Sequence, residues 1–171
     1  MVRYADDFVC MFQYENEAKS FFRELKLRLG KFNLKLAKDK SRIFRFGRFA
    51  KQNSAEGKTE TFDFLGFTHI NGKTLTGKYT VVHRTSKKKL KVKKQTVKDW
   101  LFVNTHGKPS DVIKLLNRKL VGHYRYYGVS GNYEGLLKFY RFIVSELYNR
   151  LIRRRQRAYL SWRRYQSLLE E

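Results

Sequence analysis

Two carboxylates stand side by side in Tyr4-Ala5-Asp6-Asp7, between Val2 and the apolar run Phe8-Val9-Cys10-Met11-Phe12. Like charges repel, and each carboxylate resists leaving water. A divalent cation resolves both problems, because hard oxygen ligands suit Mg²⁺. Carboxylates held in this way are what two-metal nucleotide chemistry requires. Such a site ordinarily draws a further carboxylate from elsewhere, and the sequence starts almost at the pair. Taken alone, the string reads equally well as a polar hairpin turn, since aspartate is common in turns.

The surrounding pattern says what would position the pair. Residues 2–14 read as two short strands around Ala5-Asp6-Asp7, with valine, tyrosine and phenylalanine favouring strand. Ala18, Phe21, Phe22, Leu25 and Leu29 recur at helical spacing, which predicts an amphipathic helix over Glu15 to Leu29 with Gly30 as its C-cap. Phe32 to Leu36 and Ile43 to Phe46 alternate as strands, residues 47–60 form a surface loop, and Thr61 to Ile70 is strand-like with Gly66 inside it. Asn71-Gly72 signals a hairpin turn, with Leu75 to Val82 as the returning strand.

The character of the chain changes near His83. Arg84 to Lys98 contains eight basic residues and no acid, and reads as a basic helix ending near Phe102. Asn104 to Pro109 is a breaker cluster holding the only proline. Ser110 is expected to cap a helix through Ile113, Leu116, Leu120 and Tyr124. A turn at Gly128 to Asn132 precedes a helix over Tyr133 to Ile152, and Arg153 to Leu169 continues or follows it. The fold class is therefore α+β, with domains expected at 1–83 (mixed) and 84–171 (all-α).

The formal net charge of +23 implies a polyanionic partner, nucleic acid before an anionic membrane. The aromatic share of 16% suits base stacking, although aromatics also build cores. Cys10 is the sole cysteine, which excludes an intramolecular disulfide and a cysteine-rich zinc site and points to the cytoplasm. No apolar run is long enough to span a bilayer, and no signal peptide is visible. His69, His83, His106 and His123 show no metal-ligand spacing.

Four ordered segments carry a resemblance to one family. Tyr4-Ala5-Asp6-Asp7 resembles the palm signature of reverse transcriptases. Phe32-Asn33-Leu34-Lys35-Leu36, with Lys38-Asp39-Lys40-Ser41-Arg42-Ile43, resembles the next palm segment, and Phe62-Asp63-Phe64-Leu65-Gly66-Phe67 the block beside the primer terminus. Leu116 to Gly128 resembles the maturase-specific or thumb region. Together they resemble the C-terminal half of a group II intron reverse transcriptase/maturase.

The resemblance implies a partial palm of β-hairpin, helix and antiparallel strands, followed by a helical thumb. It implies that Asp6 and Asp7 are Mg²⁺ ligands and catalytic residues, that Lys40 stands near the incoming triphosphate, and that Phe64, Leu65 and Gly66 form the primer grip. A surface lysine explains Lys40 as well. The family's first palm motif, with its own aspartate, and its fingers have no counterpart in this sequence. The reading is thus part of an RNA-directed DNA polymerase with maturase function, inactive alone, with a separate chain as one source of the missing parts.

The basic stretches are the candidates for contacts to structured intron RNA and to template–primer. They comprise Arg84, Lys87, Lys88, Lys89, Lys91, Lys93 and Lys94, then Arg125, then Arg153, Arg154, Arg155, Arg157, Arg163 and Arg164. A solvated helix face explains any one run equally well. The alternative functions are a non-catalytic basic RNA-binding module and a degenerate remnant.

Overall fold

The structure is a computed structural model that describes residues 1–37, 39–50, 52, 59–154 and 160–170. It is mixed α+β, with two small antiparallel sheets and five helices among the described residues, consistent with a partial palm followed by a helical domain. The chain divides into two compact units, Met1–Glu60 and Thr61–Glu171. The expected boundary at 83/84 therefore falls within the second unit, near the end of its sheet.

In the first unit, β1 (Val2–Tyr4) and β2 (Asp7–Val9) form a hairpin with Tyr4 opposite Asp7. Its two-residue loop, Ala5-Asp6, puts Ala5 at a φ of 52°, and Arg3 Nε donates a hydrogen bond to Ala5 O at 2.8 Å. Helix α1 (Glu15–Gly30) follows, with Glu15 and Glu17 in its first turn, where acids suit the helix dipole. Glu15 receives Lys19 Nζ at 2.6 Å and Arg45 Nη2 at 2.7 Å. The hydrogen bond and charge of Lys19, with those of Arg45, hold its carboxyl at about 2, well below the usual range. No residue of α1 is buried, and Ala50 is the only buried apolar residue described in this unit.

Three expectations for this unit are corrected. Gly30 closes α1 in helical conformation rather than capping it, the C-cap being Lys31 in right-handed geometry. The left-handed residue is Asn33, at φ 56°. Phe32 to Leu36 forms no strand, because the backbone N–H groups of Phe32 and Leu34 fold back onto Leu29 O and that of Asn33 onto Gly30 O. Ile43 to Phe46 is also irregular. Alternation tells which face a side chain takes, but not that a ladder partner is in register.

In the second unit, β3 (Phe62–Phe64), β4 (Phe67–Lys73) and β5 (Tyr79–Thr85) form an antiparallel meander. The expected single strand over Thr61 to Ile70 is two strands joined at Leu65-Gly66, whose φ values of 49° and 81° make a tight left-handed turn. Asn71-Gly72 is not a turn. It lies inside β4, with Asn71 opposite Val81 and Gly72 opposite Thr80. A Cβ on Gly72 would stand 2.6 Å from Val82 Cγ2, so the glycine makes room for a neighbour across the sheet. The turn falls instead at Thr74 to Lys78, closed by Thr74 N–H to Lys78 O at 2.8 Å, with Gly77 at φ 79°. Leu75 is consequently an exposed turn residue.

Four helices complete this unit among the described residues: α2 (Lys87–Asn104), α3 (Pro109–Tyr127), α4 (Tyr133–Arg154) and α5 (Trp162–Glu170). Pro109, not Ser110, starts α3, because proline's fixed φ and missing N–H suit the first helical turn. Arg84 lies on β5 rather than on the basic helix, which begins at Lys87. Val97 and Leu101 of α2 pack with Val112, Ile113, Leu116 and Leu120 of α3, and with Phe139, Ile143, Leu147 and Leu151 of α4. Leu160 and Tyr165 close this core, with Tyr165 Oη donating to Val144 O at 2.7 Å.

Candidate functional site

Tight turns present both motif hairpins. In the first, Tyr4, Asp6 and Asp7 are all exposed, with Asp6 in the loop and Asp7 at the first position of β2. Neither aspartate joins an ion pair among the described residues, so both carboxylates are available as oxygen donors. No group of three or more His, Cys, Asp or Glu side chains gathers for a metal among the described residues. The donor chemistry fits Mg²⁺, which is commonly bound by one or two carboxylates with waters and substrate phosphates filling the rest of its octahedron.

Lys40 is exposed in a turn where its backbone N–H reaches Ala37 O at 3.1 Å, and no ion pair joins it to Asp6 or Asp7. Its neighbour Lys38 lies outside the described residues.

The second hairpin carries Phe64, Leu65 and Gly66, all half-buried. A Cβ on Gly66 would stand 2.9 Å from Tyr127 Oη, so within this chain the close approach that Gly66 permits is that of Tyr127. Tyr126 Oη donates to Leu65 O at 2.9 Å, and Ser86 N–H donates to Gly66 O at 2.9 Å. Asp63 accepts hydrogen bonds from Ser86 Oγ, at 2.7 Å, and from Thr68 Oγ1. Phe67 lies nearly parallel to Tyr126, at 16° with centroids 5.9 Å apart.

Behind this hairpin, Asn132 joins three elements. Its side chain accepts from Thr85 N–H at 2.8 Å, and donates to Thr85 Oγ1 at 2.7 Å and to Tyr127 O at 2.8 Å. It is 1% exposed. Sequence reasoning missed Asp63, Ser86 and Asn132 as supports, since their partners lie 23 and 47 residues away. The run Tyr124-Arg125-Tyr126-Tyr127 closes α3 with two faces. Tyr127 is buried, while Arg125 and Tyr126 are exposed.

The basic candidates divide by environment. Lys87, Lys88, Lys89, Lys91 and Lys93 are exposed on α2, and Arg84 on β5. Leu90, Lys94, Val97 and Leu101 form the inward seam, with Lys94 Nζ 5.0 Å from the Phe142 ring centre. Arg153, Arg163 and Arg164 are exposed. Arg154 instead donates to the carbonyls of Thr105, at 3.0 Å, and of Gly107, bracing the α2–α3 connection. Arg155 and Arg157 lie outside the described residues.

Two histidines acquire neighbours that their spacing hid. His69 stands opposite His83 across β4–β5, with ring centres 4.8 Å apart. Burial, and then the nearby His83, push its pKa down. His123 is buried between Tyr127 and Phe139, with centroids at 4.6 and 4.1 Å, and neither ring nitrogen has a partner among the described residues. Burial, with the charge of Lys93, lowers its pKa to about 4.

Residues 1–69 match the family model of reverse transcriptase (RNA-dependent DNA polymerase). The matched segment contains both hairpins and ends within β4. The match spans less than half of the chain and supports a reverse-transcriptase segment over those residues. No curated protein and no solved structure matches the chain. Among the described residues, no helix is long and apolar enough to cross a membrane.

Proposed function

We propose that this chain forms the later part of the palm, and the helical thumb, of a group II intron-type RNA-directed DNA polymerase that also binds its intron RNA as a maturase. The observation that carries the reading is the coincidence of the reverse-transcriptase match over residues 1–69 with an exposed Asp6-Asp7 pair at a hairpin tip. Asp6 and Asp7 would hold Mg²⁺ as oxygen donors, together with substrate phosphates and water. When bound, the ions favour ionisation of the primer 3′-hydroxyl and offset charge on the departing pyrophosphate. Phe64, Leu65 and Gly66 hold the end of the primer strand, and Lys40 supplies positive charge for the triphosphate.

Manganese is a paramagnetic stand-in that tests the metal site without turnover. Added with an RNA template, a DNA primer and a nucleoside triphosphate, it is expected to broaden the NMR signals of Asp6 and Asp7 before those of α3. Equal broadening throughout the chain would remove the metal assignment.

A second reading has its own support. The second unit carries its own core and the exposed lysines of α2, features sufficient for holding structured RNA without polymerisation. Tight, steeply salt-dependent binding that survives Asp6→Ala and Asp7→Ala, with no metal response at the hairpin, would favour that module.

A further inference from the structure

We infer that Tyr126 is a positioning residue, latching the β3–β4 turn in the backbone geometry with which it holds the end of a nucleic-acid strand. The inference rests on the proposed function, which puts that turn at the primer terminus.

Leu65 occupies the first turn position at φ 49°, a left-handed conformation that residues bearing a Cβ avoid. Glycine or asparagine would adopt it readily, yet the chain has leucine there. The carbonyl of this strained residue is the one that accepts Tyr126 Oη, at 2.9 Å. The next carbonyl, of Gly66, accepts Ser86 N–H at 2.9 Å, and Ser86 Oγ is itself fixed on Asp63 Oδ2 at 2.7 Å. Both turn carbonyls are thus held from outside the hairpin, one from the end of α3 and one from the start of α2.

Tyr127 does the buried packing under the turn, whereas Tyr126 is 55% exposed. Water competes for an exposed hydroxyl, so this bond adds little to stability. Its consequence is geometric, because it fixes the direction of the Leu65 carbonyl at the tip. Strained backbone persists where its surroundings over-determine it, and such places cluster at ligand clamps. The near-parallel stack of Tyr126 on Phe67, 5.9 Å between centroids, keeps the hydroxyl aimed at the turn.

The test uses the full chain. Tyr126→Phe removes the hydroxyl and keeps the ring. Tyr148→Phe is the control, since it loses a comparable hydroxyl-to-carbonyl bond, to Leu160 O at 3.1 Å, in the same compact unit. Affinity is measured for a primer–template with a recessed 3′ end and for a blunt duplex of equal length. Hydrogen exchange at the Ser86 amide is followed in the free protein.

Tyr126→Phe is expected to lower the preference for the recessed end about 3- to 10-fold, the worth of one hydrogen bond, and to speed Ser86 exchange. Tyr148→Phe should leave both unchanged. Retained preference in Tyr126→Phe, or equal loss in both variants, would overturn the latch while leaving the primer-end reading standing. A wild-type chain without any preference would overturn that reading, and the latch with it.

Discussion

Asn132 and His123, at either side of the α3–α4 connection, show how differently two buried polar side chains can be accommodated. Asn132 satisfies its amide through Thr85 and Tyr127, so truncation strands several partners at once. Asn132→Ala is expected to cost about 2–4 kcal/mol in a urea titration, as unsatisfied buried groups do. His123 has no such partners among the described residues, and burial, with the charge of Lys93, lowers its pKa to about 4. The unfolded histidine, near 6.5, takes up a proton more readily than the folded one. Stability attributable to this group is therefore complete above about pH 6.5 and is lost as pH falls towards 4. The loss is on the order of 2–3 kcal/mol, and His123→Phe should remove it from the pH profile of unfolding. A profile equally steep in the variant would contradict this assignment. None of this was legible at residue level: His123 reads in sequence as one scattered histidine, and only the rings of Tyr127 and Phe139 make it a buried base.

At the scale of elements, the first hairpin and the helices were readable because their signals are local. Periodic apolar residues over Glu15 to Leu29 and over Ile113 to Tyr124 fall on α1 and α3. This sheet was misread because Asn71-Gly72 is the stronger turn string, whereas the chain turns at Leu65-Gly66, between β3 and β4, and again at Thr74 to Lys78, between β4 and β5. Leucine is a poor sequence signal for positive φ, and the groups that hold it, Tyr126 and Ser86, lie far along the chain. Gly66→Ala, at φ 81° and against Tyr127 Oη, should destabilise the second unit by roughly 1–3 kcal/mol, the cost of a strained backbone, and chemical unfolding would measure it.

The basic helices separate by the same logic. Replacing Lys87, Lys88 and Lys91 by glutamine should leave the melting temperature nearly unchanged. It should also lower the slope of log affinity for RNA against log salt by about 0.7 for each phosphate no longer neutralised. Arg154→Gln should do the reverse, lowering the melting temperature with a smaller change in slope, because its guanidinium holds Thr105 and Gly107. A salt slope unchanged by the lysine replacements would remove α2 from the interface.

For the molecule as a whole, the charge of +23 pointed to a polyanionic partner and the motif order to a resemblance with reverse transcriptases, without a single distance. What could not be read was the distribution of core. The second unit concentrates its buried apolar residues among α2, α3 and α4, whereas α1 buries none. Amphipathic spacing marks a face that can be buried, but burial needs a partner surface, and the pattern of one helix does not carry that information. Amides of α1 are accordingly expected to exchange with solvent well before those of α3 and α4, a contrast that hydrogen-exchange mass spectrometry reads directly.

The proposed role of Asp6 and Asp7 is support of RNA-templated DNA synthesis. Its most direct test is Mg²⁺-dependent primer extension on an RNA template, by a polymerase assembled with this chain as its later palm and thumb. Asp6→Ala and Asp7→Ala are each predicted to lower the extension rate roughly a thousand-fold, the loss of several kcal/mol of metal-borne stabilisation, while primer–template binding persists. Extension undiminished in both variants would contradict the account.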